Sequence, residues 1–417
     1  MGSAAVEYDP FSPEVMADPY PIYRELRARH RAFFIDDYDA WALPRFDDVW
    51  SVLADRERFS IVEGPVFHRD RLLRHNDGAP DTSFRRPVRS FSMLDPPHHT
   101  RLRQAMIDPF RPRAVARLED DVRALAVAQL DALAGDDGFD VRHDYASPVA
   151  AAVAARLIDV PMSDGVALVT LVNRYVQREP DQAGISAAGM AARREIDDYL
   201  GAFVAERRRQ REGAPTPSGR DDPPDIVDGL LAFDGGDGPL DDAEVIDQLV
   251  TLFIGGTETL PKVVAGGAYQ LWRHSEQRAA VVADPALAVP AFEEMLRYEL
   301  PLQFVGRTLL VDAEIAGVPM RAGQRVVLVL ISANRDEREF EEPERFDVHR
   351  RMERHLGLGH GAHVCIGAHV ARLEGVVMLR ELLARIPDYE VDASALEREA
   401  SEFQVGWVSM PITGGAR

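Results

Sequence analysis

The segment that most restricts what this chain can fold into and do runs over residues 355–386, HLGLGHGAHVCIGAHVARLEGVVMLRELLARI. A glycine-rich loop there leads to Cys365, and apolar residues at helical spacing follow it. A helix N-terminus presents unpaired N–H groups and the positive end of the dipole, which favour a thiolate over a thiol. The segment therefore predicts a cysteine that serves as a metal ligand at the start of a long amphipathic helix.

Two other interpretations of this loop remain open from the residues alone. By residue type, Cys365 is a small side chain that proteins commonly bury as a hydrophobe. Gly357, Gly359 and Gly361 before a helix also suggest a phosphate loop, but its Lys-Ser/Thr ending and a preceding strand are missing. Because the chain has a single cysteine, an internal disulfide and a Cys-rich zinc or iron–sulfur site are excluded.

Composition sets the class of protein. The apolar fraction of 46% and the helical patterning run evenly along all 417 residues, so we expect a single domain over residues 1–417. A formal net charge of −21 argues against a broad basic face for nucleic acid or anionic lipid. No run approaches the roughly 18 uncharged apolar residues of a membrane span, and the N-terminal residues lack a signal-peptide pattern. We therefore expect a cytoplasmic protein.

Helical periodicity dominates the sequence, whereas strand-like alternation is clear only in VGRTLLV, EIAGVPM and RVVLVLIS, between residues 305 and 332. The expected fold class is mainly α with small β-sheets. The longest helical pattern lies in PLDDAEVIDQLVTLFIGGTETLPKVVAGGAYQLWRH, where Asp241 and Glu244 occupy N-cap and N3 positions. This segment predicts one long central helix.

The middle of that helix contains residues that disfavour helix. The Gly255-Gly256 pair lowers helix propensity, and Pro261 cannot donate a hydrogen bond to the carbonyl four residues earlier. We expect a kink or widening around Glu258 and Thr259, where a released carbonyl beside a carboxylate and a hydroxyl can hold water and relay protons. Alternatively, the threonine hydroxyl simply bonds back to its own helix.

These segments resemble the signatures of one family. Gly359-His360-Gly361-Ala362-His363-Val364-Cys365-Ile366-Gly367 is similar to the haem-binding signature of cytochromes P450, with Leu358 in place of the usual Phe. Gly255-Gly256-Thr257-Glu258-Thr259-Leu260 resembles the family's oxygen-activation motif, of which it keeps the acid and the alcohol. The resemblance extends over nearly the whole chain. It implies the P450 fold, with haem b between the central helix and the cysteine-loop helix.

The resemblance assigns roles to individual residues. Cys365 would bind the haem iron, and Glu258 and Thr259 would serve oxygen activation. Glu294 and Arg297, at helical i, i+3 spacing, would form with Arg345 a buried triad that supports the cysteine loop. The remaining haem contacts, some of them to the propionates, would come from His99, Arg103, Arg307, Leu358, Gly359 and His363.

The resemblance also places a substrate pocket. It would be lined by Phe84, Phe91, Val172, Tyr175, Thr251, Ile254, Gly255, Gln303, Phe304, Phe403 and Gln404. Such residues are equally compatible with an ordinary core.

The implied reaction is insertion of one oxygen atom of O₂ into an apolar small molecule, such as a terpenoid, steroid, polyketide or aromatic compound. Electrons would come from a separate ferredoxin or flavodoxin-type donor with an NAD(P)H-dependent reductase. A local basic docking patch for that donor would contain Arg111, Arg113, Arg354 and Arg372. A peroxide-driven peroxygenase and a non-catalytic haem sensor or ligand carrier are the alternatives.

Overall fold

The computed structural model describes residues 7–83, 85–135, 137–177, 185–211, 225–236, 238–399 and 401–414. These residues form two compact units. The first contains the chain up to residue 82 with residues 265–365 and 391–410, and the second contains residues 83–264, 366–390 and 411 onwards. The single domain expected from the sequence remains a prediction.

The described residues are mainly helical, as predicted. In chain order the α-helices are α1 (Pro13–Ala17), α2 (Tyr20–Arg29), α3 (Phe46–Ala54), α4 (Arg69–Leu72), α5 (His98–Met106), α6 (Pro112–Val115), α7 (Glu119–Leu133), α8 (Ser147–Leu157), α9 (Met162–Val176), α10 (Ala187–Arg211), α11 (Ile226–Leu231), α12 (Asp242–Glu258), α13 (Leu260–Arg273), α14 (Ser275–Ala283), α15 (Ala288–Tyr298), α16 (Leu330–Ala333) and α17 (Ala368–Arg385). Short 3-10 turns connect several of them, and a π-helical turn, Val141–Ala146, precedes α8.

The strands are short. They are β1 (Phe33–Ile35), β2 (Ala40–Leu43), β3 (Phe59–Ser60), β4 (Gly138–Asp140), β5 (Val305–Leu309), β6 (Ala313–Ile315), β7 (Val318–Met320), β8 (Arg325–Leu328), β9 (Glu390–Val391), β10 (Glu397–Arg398), β11 (Trp407–Ser409) and β12 (Pro411–Thr413). The strands predicted between residues 305 and 332 are confirmed as β5 to β8, except that residues 330–332 of the last segment belong to α16.

The first unit is built on a five-stranded sheet in the order β1-β2-β8-β5-β3. β2 and β8 are parallel, with Ala42 opposite Val327, and the other neighbours are antiparallel. Every residue of β8 is buried, which explains its uninterrupted apolar run after Arg325. The antiparallel hairpin β6-β7 lies between β5 and β8 in the chain, and β10 pairs with β11.

The second unit is a helical assembly in which α8 packs against α9 and α12, α10 packs against α9 and α12, and α17 packs against α7. Small residues allow a close approach: a Cβ at Gly165 on α9 would lie 2.7 Å from the carbonyl oxygen of Ala151 on α8. β4 and β12 pair antiparallel, with Phe139 opposite Ile412.

The predicted central helix is present but divided. Asp241 and Glu244 form the expected capping box at the start of α12. α12 ends at Glu258 and α13 begins at Leu260, so the interruption falls at Thr259, where the sequence predicted a kink. Among the described helices, none has both the length and the apolar composition that crossing a bilayer requires.

Candidate active site: the cysteine loop and the interrupted helix

Cys365 lies at the end of the glycine-rich loop, three residues before α17 begins at Ala368. Its backbone N–H donates to the carbonyl oxygen of Leu358 at 2.9 Å, which closes the loop on itself. Gly359 and Gly361 have φ of 73° and 74°, a conformation that glycine adopts without steric cost. Cys365 is exposed. The interpretation of this cysteine as a buried hydrophobe is therefore wrong.

The start of the loop is attached to the rest of the first unit by backbone contacts. The N–H of Leu356 donates to Asn334 Oδ1 at 2.8 Å, and a Cβ at Gly357 would lie 2.5 Å from the carbonyl oxygen of Leu296 on α15. His355 Nε2 lies 2.9 Å from Glu293 Oε2, also on α15. These contacts hold the entrance of the loop against α15.

The predicted pair on α15 is completely buried. Arg297 donates from Nε and Nη2 to the two carboxylate oxygens of Glu294, each at 2.7 Å. Burial lowers the pKa of the Arg297 guanidinium more than any other effect, and the Glu294 carboxylate partly opposes this shift. Arg297 Nη1 also donates to the carbonyl oxygen of Asn334 at 2.8 Å. Because Asn334 in turn holds Leu356, the pair supports the cysteine loop through one intervening residue.

The third member of this triad differs from the prediction. The exposed side chain of Arg345 pairs with Glu342 at 3.0 Å and does not reach Glu294. Arg350 takes that place: its Nε lies 3.3 Å from the Glu294 carboxylate, and its guanidinium also donates to the carbonyl oxygen of Arg345 at 2.8 Å. The assignment of Arg345 to the triad is therefore wrong, because a turn closed by the Arg350 N–H and the Asp347 carbonyl oxygen at 3.0 Å brings the later arginine to Glu294. The arginine at the end of FDVHR was the available sequence signal.

In the second unit, the last turns of α12 contain an exposed glycine pair just before the interruption. Gly255 and Gly256 are exposed, although Phe253 and Thr257 on either side of them are buried, and outside the backbone of its own helix no atom lies within 4 Å of a Cβ built at Gly255. The hydroxyl of Thr259 donates to the carbonyl oxygen of Gly255 at 2.9 Å. The alternative that this threonine bonds back to its own helix is thus observed. Its oxygen keeps lone pairs that can accept a further hydrogen bond.

Glu258 is buried and has a cationic neighbour that the sequence analysis did not identify. Arg142, in the π-helical turn before α8, places Nη2 3.9 Å from Glu258 Oε2, and its side chain is also buried. Asp140 holds that turn by accepting hydrogen bonds from the backbone N–H groups of Arg142 and His143, each at 2.8 Å. The two ions are 116 residues apart in the sequence, so no local pattern could have paired them.

The residues predicted to contact haem propionates occur in both units. In the second unit His99 and Arg103 lie on α5; His99 is buried, and its ring stacks with that of Phe91, with centroids 6.3 Å apart. In the first unit Arg307 is buried on β5 and donates to the carbonyl oxygen of Gly306 at 2.7 Å, while His363 is half-buried in the cysteine loop. Their role toward haem remains a prediction.

The second unit contains six of the residues predicted to line the pocket. Phe91 is buried, and its backbone N–H donates to Gln248 Oε1 on α12 at 2.8 Å. On α9, Val172 is buried and Tyr175 is half-buried beneath the guanidinium of Arg193. The remaining three, on α12, are Thr251, Ile254 and Gly255, of which the first two are half-buried.

In the first unit, two of the predicted pocket residues belong to the core. Gln303 is fully buried; its Oε1 accepts from the Tyr23 hydroxyl at 2.8 Å, and its Nε2 donates to the carbonyl oxygen of Ser401 at 2.7 Å. Phe304 is also fully buried in the core beside the sheet. Both side chains are packed against protein atoms on all sides, and their assignment to the pocket wall remains a prediction. Phe403 and Gln404 are half-buried, and Phe84 lies outside the described residues.

The arginines of the predicted docking patch are partly neutralised by carboxylates. Arg354 donates to both carboxylate oxygens of Glu339 and to Asp47, at 2.8–2.9 Å, and the pKa of Arg354 is raised chiefly by the Glu339 hydrogen bonds. Arg111 pairs with Asp108. Arg113 is exposed and Arg372 is half-buried. Arg354 belongs to the first unit, and the other three arginines belong to the second.

Comparison with known proteins decides the family. Residues 287–399 match the family described as Cytochrome P450. The chain is 31% identical to "Putative cytochrome P450 123" of Mycobacterium tuberculosis (strain ATCC 25618 / H37Rv) over 100% of this chain and 99% of that protein. The chain belongs to the cytochrome P450 family.

A further relative and a solved structure agree with this assignment. The 20-oxo-5-O-mycaminosyltylactone 23-monooxygenase of Streptomyces fradiae is 33% identical over 97% of this chain and 90% of that enzyme. The solved structure of cytochrome P450 CYP109Q5 from Chondromyces apiculatus matches over 99% of this chain and 99% of that chain, with a TM-score of 0.80 and 31% identity. The predicted P450 fold is confirmed. The chain is a bacterial cytochrome P450 monooxygenase, and its cofactor is haem b.

The residues of the cysteine loop fit that cofactor. In cytochromes P450 one cysteine thiolate holds the haem iron, and the single cysteine of this chain is exposed three residues before α17 begins. Gly359 and Gly361 let the backbone fold closely around it, and the Leu358 carbonyl fixes its N–H. The observed donor and loop conformation thus suit haem ligation through sulfur.

Proposed function

We propose that this cytochrome P450 inserts one oxygen atom of O₂ into an apolar small molecule, with Cys365 as the ligand of the haem iron. The observation that carries the proposal is the exposed thiol at the end of a loop closed by the Cys365–Leu358 hydrogen bond. When bound, a thiolate-ligated haem supplies O₂ activation. We further propose that His99, Arg103, Arg307 and His363 bind the propionates, and that Leu358 and Gly359 contact the haem.

Within this proposal, Thr259 and Glu258 move protons. The Thr259 hydroxyl, which donates to the Gly255 carbonyl oxygen, can rotate and donate instead toward the O₂ co-substrate. The hydroxyl oxygen can also accept a hydrogen bond from water. Glu258 is held beside Arg142 and would return protons to that hydroxyl from solvent. A stepwise relay of this kind needs both side chains, which disfavours a peroxide-driven peroxygenase.

The substrate is proposed to be a bulky apolar compound of the polyketide, steroid, terpenoid or aromatic class. Two observations support a bulky substrate. The relative from Streptomyces fradiae is named for a large glycosylated lactone, and the space beside Gly255 is open. Electrons are proposed to come from a separate ferredoxin or flavodoxin-type donor, and the cytoplasm is the proposed location.

The ligand assignment is tested by the reduced carbon monoxide adduct of purified protein. We expect a thiolate-type Soret band in the unsubstituted protein and its loss in Cys365→Ala. A thiolate-type band that survives in Cys365→Ala would refute the assignment.

The relay is tested by a matched pair on one helix. Thr257 and Thr259 both donate to the carbonyl four residues earlier, but Thr257 is buried, whereas Thr259 lies at the interruption. With a ferredoxin-type donor, we expect Thr259→Val to lower the yield of product per electron consumed by about tenfold or more. Thr257→Val should leave this yield unchanged. Steady peroxide-driven turnover with an unaffected Thr259→Val would favour the peroxygenase. Tight ligand binding without product would favour the sensor or carrier.

A further inference from the structure

We infer that Trp50 on α3 is a positioning residue for the haem-ligating loop, which it holds by stacking on His360. The inference rests on the proposed ligation by Cys365. The two rings are nearly parallel, with an interplanar angle of 17° and centroids 3.5 Å apart. His360 lies five residues before Cys365, inside the loop. An aromatic side chain from outside the loop therefore holds a segment whose usual aromatic, at position 358, is a leucine in this chain.

Trp50 is itself held in place by contacts other than His360, namely with Phe46 and Arg354. It stacks with Phe46 one helical turn earlier, with centroids 5.5 Å apart, and Phe46 is buried against Phe340. The guanidinium of Arg354 lies 5.0 Å from the Trp50 ring centroid and 4.8 Å from that of Phe46. Arg354 is fixed by Glu339 and Asp47, as described above. The stack on His360 thus extends into a rigid part of the first unit.

The next residue of the loop also contacts α3. A Cβ at Gly361 would lie 2.1 Å from the carbonyl oxygen of Leu53, so the loop backbone lies directly against the end of the helix. The loop is consequently held twice: residues 355–357 against α15 and Asn334, and residues 360–361 against α3. Leu358 lies between these attachments, and its carbonyl accepts the N–H of Cys365. A displacement at His360 is therefore transmitted through Gly359 and Leu358 to the N–H of Cys365.

The protonation state of His360 suits this role. Burial, and next the charge of Arg354, lower the pKa of His360 below its usual 6.5, so the imidazole is neutral at neutral pH. A neutral ring stacks on an indole without adding a second cation beside Arg354.

Three single substitutions test the inference in the haem-loaded protein. Trp50→Leu removes the ring, Trp50→Phe keeps an aromatic, and Trp41→Leu is the matched control. Trp41 is also a half-buried tryptophan of the first unit, on β2, where it contacts Phe34 and Gln324 instead of the loop. The measurements are the rate of haem transfer to apomyoglobin, the reduction midpoint potential, and the rate at which the thiolate-type band of the carbon monoxide adduct is lost.

We expect Trp50→Leu to release haem about three- to tenfold faster, to lose the thiolate-type band faster and to shift the midpoint potential, in line with the energy of one aromatic stack. Trp50→Phe should largely restore all three properties. Trp41→Leu should leave them unchanged at a comparable loss of unfolding free energy. Equal effects of Trp50→Leu and Trp41→Leu would overturn the inference.

A second variant covers the case in which Trp50→Leu does not fold. His360→Leu removes the loop side of the same stack and leaves α3 intact, and we expect the same shifts. Where both single variants fold, the double variant Trp50→Leu/His360→Leu should be no worse than either, because one interaction is lost in each case. Additive effects would contradict action through the stack. A missing thiolate-type band in the unsubstituted protein would instead refute the proposed ligation, so the two failures are distinguishable.

Discussion

The guanidinium of Arg142 and the carboxylate of Glu258 face each other across 3.9 Å, and both side chains are buried. The acid that is proposed to relay protons thus lies beside a cation on the turn before α8. A buried carboxylate is stabilised in its charged form by such a neighbour. The stability of the region around the interrupted helix should therefore depend on the charges of Arg142 and Glu258.

Removing this cation should destabilise the protein. We expect Arg142→Met to lower the free energy of unfolding by about 2–4 kcal/mol, because Glu258 then has less compensation for burial. Arg156→Met, at the exposed end of α8, should change it by less than about 0.5 kcal/mol. The measurement is urea denaturation. In the double variant Arg142→Met/Glu258→Gln the losses should be less than additive; strict additivity would show that the two ions do not interact.

The corrected triad predicts a contrast between two arginines five residues apart. Arg350→Met should lower the free energy of unfolding by about 2–4 kcal/mol, because it leaves the buried Glu294 with only one cation. Arg345→Met should cost less than about 0.5 kcal/mol, since its pair with Glu342 is exposed. Denaturant midpoints of the two variants provide the comparison. The reverse order would restore the original assignment of Arg345.

Glu374 on α17 should make stability depend on pH. Its side chain is buried, Oε2 has no hydrogen-bond partner among the described residues, and burial raises the pKa of this carboxyl well above its usual value. As pH rises above the unfolded-state pKa of about 4.3, the unfolded chain loses this proton while the folded protein keeps it, so stability declines until the folded pKa is reached.

Glu374→Gln should therefore stabilise the protein at pH 7 by about 1–3 kcal/mol and flatten the decline above pH 4.3. Glu381→Gln is the control on the same helix, because the Glu381 carboxylate is paired with Arg385 at 2.7 Å. It should not flatten the profile. Unfolding free energies measured from pH 4 to pH 8 decide the matter, and identical slopes for Glu374→Gln and the unsubstituted protein would contradict the assignment.

Gly255 should set how bulky a ligand can be. Gly255→Ala adds a methyl group in the open space beside α12 and should raise the free energy of unfolding by about 0.5–1 kcal/mol through helix propensity. The same gain is expected from Gly201→Ala inside α10. Only Gly255→Ala should lower the affinity for bulky ligands, measured by the haem spin-state shift, and it should do so by roughly tenfold. One misplaced methyl group has an effect of that size in a packed pocket. Equal ligand affinities in the two variants would argue against a pocket at Gly255.

Much of this molecule follows from local sequence. The capping residues Asp241 and Glu244, the break near Thr259, the helix after Cys365 and the strands after residue 305 are each determined by propensity, capping or periodicity within a few residues. The lone cysteine in its glycine loop predicts Cys365 as the metal ligand, and that role stays a prediction. The family resemblance of the loop implied haem b, and the comparisons confirmed that cofactor.

What only the tertiary structure decided is which distant side chains meet. Arg350 in place of Arg345 beside Glu294, Arg142 beside Glu258, Trp50 on His360, and the burial of Gln303 and Phe304 in the core all depend on how separate elements pack. The physical reason is that helix and strand patterns report the face that a residue occupies on its own element. The partner on that face is set by long-range packing, which leaves no periodic trace in the sequence.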